Sequence, residues 1–155
     1  MAKRRITATT RRAIQEVFTN PRSYTVAEVA RLTGVAVHEL AEQLDEAEFA
    51  AADSDTELPW REVVFIAFRV WPLEVIFSTL ERRAARLPQL LWPKTVEVIL
   101  PSYQARMLEV LARRERITVS TFVQLQLLDL ASSVDHELLE REIPGFTAAM
   151  RWPDE

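Results

Sequence analysis

Apolar positions recur at intervals of three and four residues over most of this chain, the spacing that gathers side chains on one face of an α-helix. Ala13, Ile14, Val17 and Phe18 make such a stripe and predict a short helix over residues 9–18, stopped by Asn20 and Pro21. Two helices fit the next stretch, YTVAEVARLTGVAVHELAEQLDEAEF. Thr25, followed three residues later by Glu28, has capping-box spacing and opens a helix with Val26, Val29, Ala30 and Leu32 facing in. Gly34 supplies the turn, and a second helix from about Val37 directs Leu40, Ala41 and Leu44 inward. The middle is denser, and Pro72, Pro88 and Pro93 divide it into helices over residues 60–70 and 73–86. Trp60, Val63, Val64, Ala67 and Trp71, then Leu73, Val75, Ile76, Phe77 and Leu80, cover more than one face, as on buried or docking helices.

At Thr95 the period changes. Val96, Val98 and Leu100 alternate with Thr95, Glu97 and Ile99, which predicts a strand over residues 95–100 ended by Pro101. Ser102 is the expected cap of a helix that carries Tyr103, Met107, Leu108 and Leu111 inward and ends near Arg113, Arg114 and Arg116, where cations suit the helix dipole. After a link over residues 117–119, Ser120 is the expected cap of a helix containing Phe122, Val123, Leu127, Leu130 and Ala131. Leu125 and Leu128 widen its apolar arc beyond what a small monomer covers easily. Phe146, Met150 and Trp152 then form a last apolar turn expected to fold back onto the body. A lone strand leaves its backbone groups unpaired, and the simplest partner is the same strand of a second chain. A strand edge and two helices within one monomeric domain is the alternative.

Composition narrows the picture. A chain of 155 residues with 48% hydrophobic content can bury a core, while 2 glycines argue against a β-rich fold and against phosphate-cradling loops. The absence of cysteine excludes disulfides, thiolate metal sites and a thiol nucleophile, and suits a reducing compartment. No apolar run approaches the roughly 20 residues of a bilayer span, and the start MAKRRITATTRRAIQ lacks the apolar stretch of a secretory signal, so a cytoplasmic location is expected. His38 and His136 have no ligand partners at helical spacing, and acid pairs such as Glu39 with Glu42 read as solvated, so neither metal nor cofactor nor catalysis is expected. The net charge of -4 is unevenly spread: residues 1–23 carry +5, 24–58 carry -8, 59–94 carry +3, 95–131 are neutral, and 132–155 carry -4.

Two resemblances follow from these residues. The segment around Thr25, Gly34 and Leu40 resembles the helix-turn-helix of excisionase and MerR-type proteins, with EFAAADSDTELPWREVVFIAF in the place of the hairpin wing and further helix. Its second helix presents His38, Glu39, Glu42, Gln43, Asp45 and Glu46, which phosphates would repel. Residues 95–131 resemble the ribbon-helix-helix family, in which two chains pair their strands over four interlocked helices. That resemblance implies inward ribbon positions at Val96, Val98 and Leu100, and outward, base-facing positions at Thr95, Glu97 and Ile99. It further implies backbone contacts at Lys94, Ser120 and Thr121.

The chain is therefore expected to be mainly α, with a helix-turn-helix-like N-terminal part and a strand-helix-helix, ribbon-helix-helix C-terminal part forming an intertwined dimer. Its divisions are a basic arm and short helix (1–23), a winged helix-turn-helix-like helical domain (24–94), a dimerisation segment (95–131) and an acidic C-terminal helix and tail (132–155). The expected function is that of a non-enzymatic, homodimeric DNA-binding transcriptional regulator or antitoxin-like protein. The alternative is a protein–protein interaction module on a scaffold that no longer reads DNA. Candidate DNA contacts are Lys3, Arg4, Arg5, Lys94, Thr95, Glu97, Ile99, Ser120 and Thr121. The dimer interface falls to Val96, Val98, Leu100, Phe122, Leu125 and Leu128, and partner binding to Glu39, Glu42 and Asp45. The partners implied are a second copy, operator DNA, and a cognate toxin or other basic protein drawn to the acidic segment; neither a membrane nor a small-molecule substrate is expected.

Overall fold

The structure is a computed structural model that describes residues 6–45 and 52–153. It is mainly helical, with nine α-helices and one two-stranded antiparallel sheet among the described residues. The chain divides into two units, residues 1–67 and 68–155. No single helix among the described residues is long and apolar enough to cross a membrane.

In the first unit, local capping chemistry sets where helices start. The Thr7 hydroxyl accepts from the Thr10 amide at 3.1 Å and opens α1, Ala8–Thr19, which buries Ala13, Ile14, Val17 and Phe18 as the stripe predicts. Strand β1, Tyr24–Thr25, leads directly into α2, Val26–Thr33. The Thr25 hydroxyl accepts from the Glu28 amide at 3.2 Å while the Glu28 carboxylate accepts from the Thr25 amide at 2.8 Å, completing the capping box. These contacts, the Thr25 amide first and the Arg22 guanidinium next, hold the Glu28 carboxyl below the usual carboxylate range. Gly34 closes α2 at φ +75, and α3, Val37–Asp45, follows with Leu40 and Leu44 buried.

Part of the stretch expected to hold the hairpin wing, residues 48–51, lies outside the described residues. Strand β2, Glu57–Leu58, pairs with β1 through Tyr24 opposite Leu58 and Thr25 opposite Glu57. The same stretch supplies two carbonyls to the open amides of α2: Val26 donates to Thr56 at 3.0 Å and Ala27 to Ser54 at 3.1 Å. Helix α4, Trp60–Val70, then buries Val63, Val64, Ile66 and Ala67. The half-buried Trp60 indole donates to the Val17 carbonyl at 2.7 Å, and the buried Tyr24 phenol donates to the Asn20 carbonyl at 2.9 Å, so the polar tips of both aromatics are satisfied.

The second unit contains α5, Leu73–Leu80, which ends earlier than the predicted 73–86 helix. Glu81 turns at φ +50, and residues Glu81–Arg86 wind as a 3₁₀ turn. A second 3₁₀ turn, Gln89–Leu91, follows Pro88. Residues 95–100 form no strand in the single chain; the sheet among the described residues is β1 with β2 alone. Helix α6, Ser102–Arg114, is capped by Pro101 rather than by Ser102, because the proline ring already holds φ at -54 and Ser102 becomes the first helical residue. Its C-terminus closes as a Schellman motif with Arg116 at φ +57, the Ile117 amide reaching Ala112 at 3.0 Å and the Arg116 amide Arg113 at 3.1 Å. Helix α7, Val119–Ser133, is capped by Thr118 rather than Ser120, since the Thr118 hydroxyl accepts from the Thr121 amide at 3.1 Å. Asp135 caps α8, His136–Glu142, and Glu140 in turn accepts from the Gly145 and Thr147 amides, each at 2.8 Å, at the start of α9, Phe146–Met150. Those two amides, Thr147 first, hold the Glu140 carboxyl below its ordinary range.

Buried side chains are unevenly shared. Of the aliphatic and aromatic residues buried among the described ones, Trp71, Ile76, Leu80, Ala84, Leu87 and Ala112 belong to the second unit and the other fourteen to the first. The exposed large apolar residues show the reverse, only Ile6 and Phe65 lying in the first unit.

Candidate interaction surface

Residues 94–100 run between the 3₁₀ turns and α6 as an exposed segment. Val96 is 73% exposed, Val98 68% and Ile99 fully so, and no residue from 94 to 100 makes a backbone hydrogen bond to another described residue. Lys94, Thr95 and Glu97 are also exposed, and Leu100 is half-buried. A strand-patterned segment whose amides and carbonyls have no backbone partner among the described residues is a candidate edge for strand pairing.

Helices α6 and α7 pack against each other behind this segment in the chain, yet most of their apolar surface stays uncovered. Ala112 and Thr121 are buried; Phe122, Leu125, Leu108 and Leu111 are half-buried. Tyr103, Met107 and Val110, expected or placed along one helical face at intervals of four and three, are exposed, as are Leu127, Leu128 and Leu130 on α7. The inward direction expected for Tyr103 and Met107 is therefore not met within one chain. Exposed apolar side chains at these positions make the two helices a candidate interaction surface.

No family model, curated protein or solved structure matches this chain.

The remaining candidates scatter. Lys3, Arg4 and Arg5 lie outside the described residues, and the Asp45 side chain does too. Glu42 is exposed and Glu39 half-buried on α3. Ser120 is exposed at the second position of α7, whereas Thr121 is 3% exposed and its hydroxyl is engaged by that of Thr118 at 2.9 Å. Among the described residues no group of three or more histidines and carboxylates is placed to hold a metal. His136 instead bonds the Ala131 carbonyl at 2.8 Å and meets the Phe146 ring edge-on. Two features escaped sequence reasoning: the Thr118 cap, for which a hydroxyl three residues before Thr121 was the available signal, and the arginine turn over residues 82–86.

Proposed function

We propose that this protein is a non-enzymatic homodimeric regulator, of the antitoxin or transcription-factor kind, whose residues 95–131 form a ribbon-helix-helix with a second copy. The observation that carries the reading is the open segment over residues 94–100, with Val96 and Val98 exposed in strand alternation directly before two helices whose apolar faces are uncovered. Antiparallel pairing with a second chain satisfies the open backbone and covers Val96, Val98, Leu100, Phe122, Leu125 and Leu128 in one step. The opposite face of that ribbon carries Thr95, Glu97 and Ile99 toward DNA, with Lys94, Ser120 and the N-terminal Lys3, Arg4 and Arg5 as backbone contacts. The first unit, with α2 and α3 joined at Gly34, is the helix-turn-helix-like body.

A second reading is favoured by one observation. Glu97 and Ile99 supply no hydrogen-bond donor to an outward ribbon face, and α3 presents Glu39 and Glu42. On that reading the dimer docks a protein partner, a cognate toxin or other basic surface, and does not read DNA. Binding to duplex DNA from upstream of the protein's own gene, beside a scrambled duplex, each at low and at moderate salt, separates the two. Preference for the native duplex that survives moderate salt is expected of the regulator; equal, salt-sensitive binding or none refutes it and leaves the protein-docking scaffold.

A further inference from the structure

Between Val75 and Val96 the one acid is Glu81, against Arg82, Arg83, Arg86 and Lys94. All four cations are exposed, and the side chain of none has a hydrogen bond or ion pair to another described residue. The 3₁₀ geometry sorts them. With about three residues per turn, residues three apart share a face; Ala84 and Leu87 form the buried face, and Arg83 and Arg86 form another, about 6 Å apart along the axis. The buried pair thus anchors the turn while the arginines point away from its core.

The turn is also tied to the open segment. The Trp92 indole donates to the Leu87 carbonyl at 3.3 Å and packs edge-on against Phe77 with ring centroids 5.9 Å apart. Lys94 follows two residues later, so its Cα lies within about 7.6 Å of that of Trp92. The root of residues 94–100 is held beside the end of the arginine turn.

We infer that Arg83 and Arg86, with Arg82 and Lys94, form a sugar-phosphate contact surface for duplex DNA flanking the ribbon. The inference rests on the DNA-binding form of the proposed function and adds an arginine contact beside Lys94, since the ribbon's own outward residues carry no cation. Guanidinium groups suit phosphate by their planar, multiple donors, and a pair on one face without carboxylate partners keeps those donors free. The contact is independent of sequence and adds affinity without selecting bases.

The test compares three purified full-length variants with the wild type on the native and scrambled duplexes over a salt series: R83Q/R86Q, R83K/R86K and, with the same charge change elsewhere, R141Q/R151Q. Circular dichroism establishes that each remains helical. The glutamine pair is expected to flatten the dependence of log affinity on log salt by about 0.9 for each phosphate contact removed, equally on both duplexes. The lysine pair keeps most of the slope, and R141Q/R151Q keeps all of it. Native-duplex binding with an unchanged slope in R83Q/R86Q overturns the inference and leaves the regulator standing. Equal binding of both duplexes with the slope lost supports the inference and refutes the regulator. Absence of duplex binding by the wild type at low salt overturns both.

Discussion

Val98→Glu is expected to separate the chains of the proposed dimer while leaving each chain folded. Val98 is 68% exposed in the single chain and makes no backbone hydrogen bond there, so the change costs the monomer no more than an ordinary surface substitution, within about 0.5 kcal/mol. In the paired ribbon the same side chain is covered. Full burial of a valine is worth about 1.5–3 kcal/mol, and roughly two thirds of that remains to be gained on pairing, about 1–2 kcal/mol per copy. Two copies give about 2–4 kcal/mol, which is about 30- to 700-fold in the dimer dissociation constant. The unpaired carboxylates add to this, because an ionised group loses its water in an apolar interface. Light scattering behind size exclusion over a dilution series reads the outcome directly, one chain weighing 17.8 kDa. A V98E protein that stays dimeric at every dilution where the wild type does refutes the ribbon, as does a wild type that is monomeric when fully helical.

Three further predictions concern stability. Thr25→Ala removes the hydroxyl half of the capping box, leaving the Glu28 carboxylate on the Thr25 amide, and is expected to cost about 0.5–2 kcal/mol in urea unfolding, with Thr25→Ser recovering most of it. Leu40→Ala, at a fully buried site on α3, is expected to cost about 2–5 kcal/mol by the same assay. The folded-state pKa values of Glu28 and Glu140 are depressed, so their contribution is present above the unfolded value of about 4.3 and is lost as pH falls through the folded values. Urea midpoints measured between about pH 6 and pH 3 should therefore fall on the acid side, less steeply in E28Q/E140Q; parallel declines in the two proteins would remove these carboxylates from the account.

What could be read in the sequence was written locally. Thr25, Glu28 and Gly34 are cap residues whose roles need only their neighbours, and the stripe from Ala13 to Phe18 names its own buried face. The β1–β2 pairing had no such signal, because two-residue strands show no alternation and Tyr24 and Leu58 meet across 34 positions. At the helix starts, several candidates compete over short distances. Thr118, Ser120 and Thr121 all carry hydroxyls, and the winner is the one whose oxygen meets an amide three residues on. Residues 95–100 show the alternation of a strand, but a strand is a property of a pair and the pattern names only one member. The arginine turn was masked by its apolar neighbours, whose spacing continued a helix that Glu81 interrupts.

The unequal sharing of buried side chains has a consequence for how the protein responds to dilution. The first unit holds its core within one chain, so its melting temperature should not depend on protein concentration. The second unit, in the proposed dimer, draws much of its stability from the other copy, and mass action then makes its melting temperature rise with concentration. A cell that makes little of this protein would hold it with a folded front half and a C-terminal half open to proteases, so that abundance itself sets how long each molecule lasts.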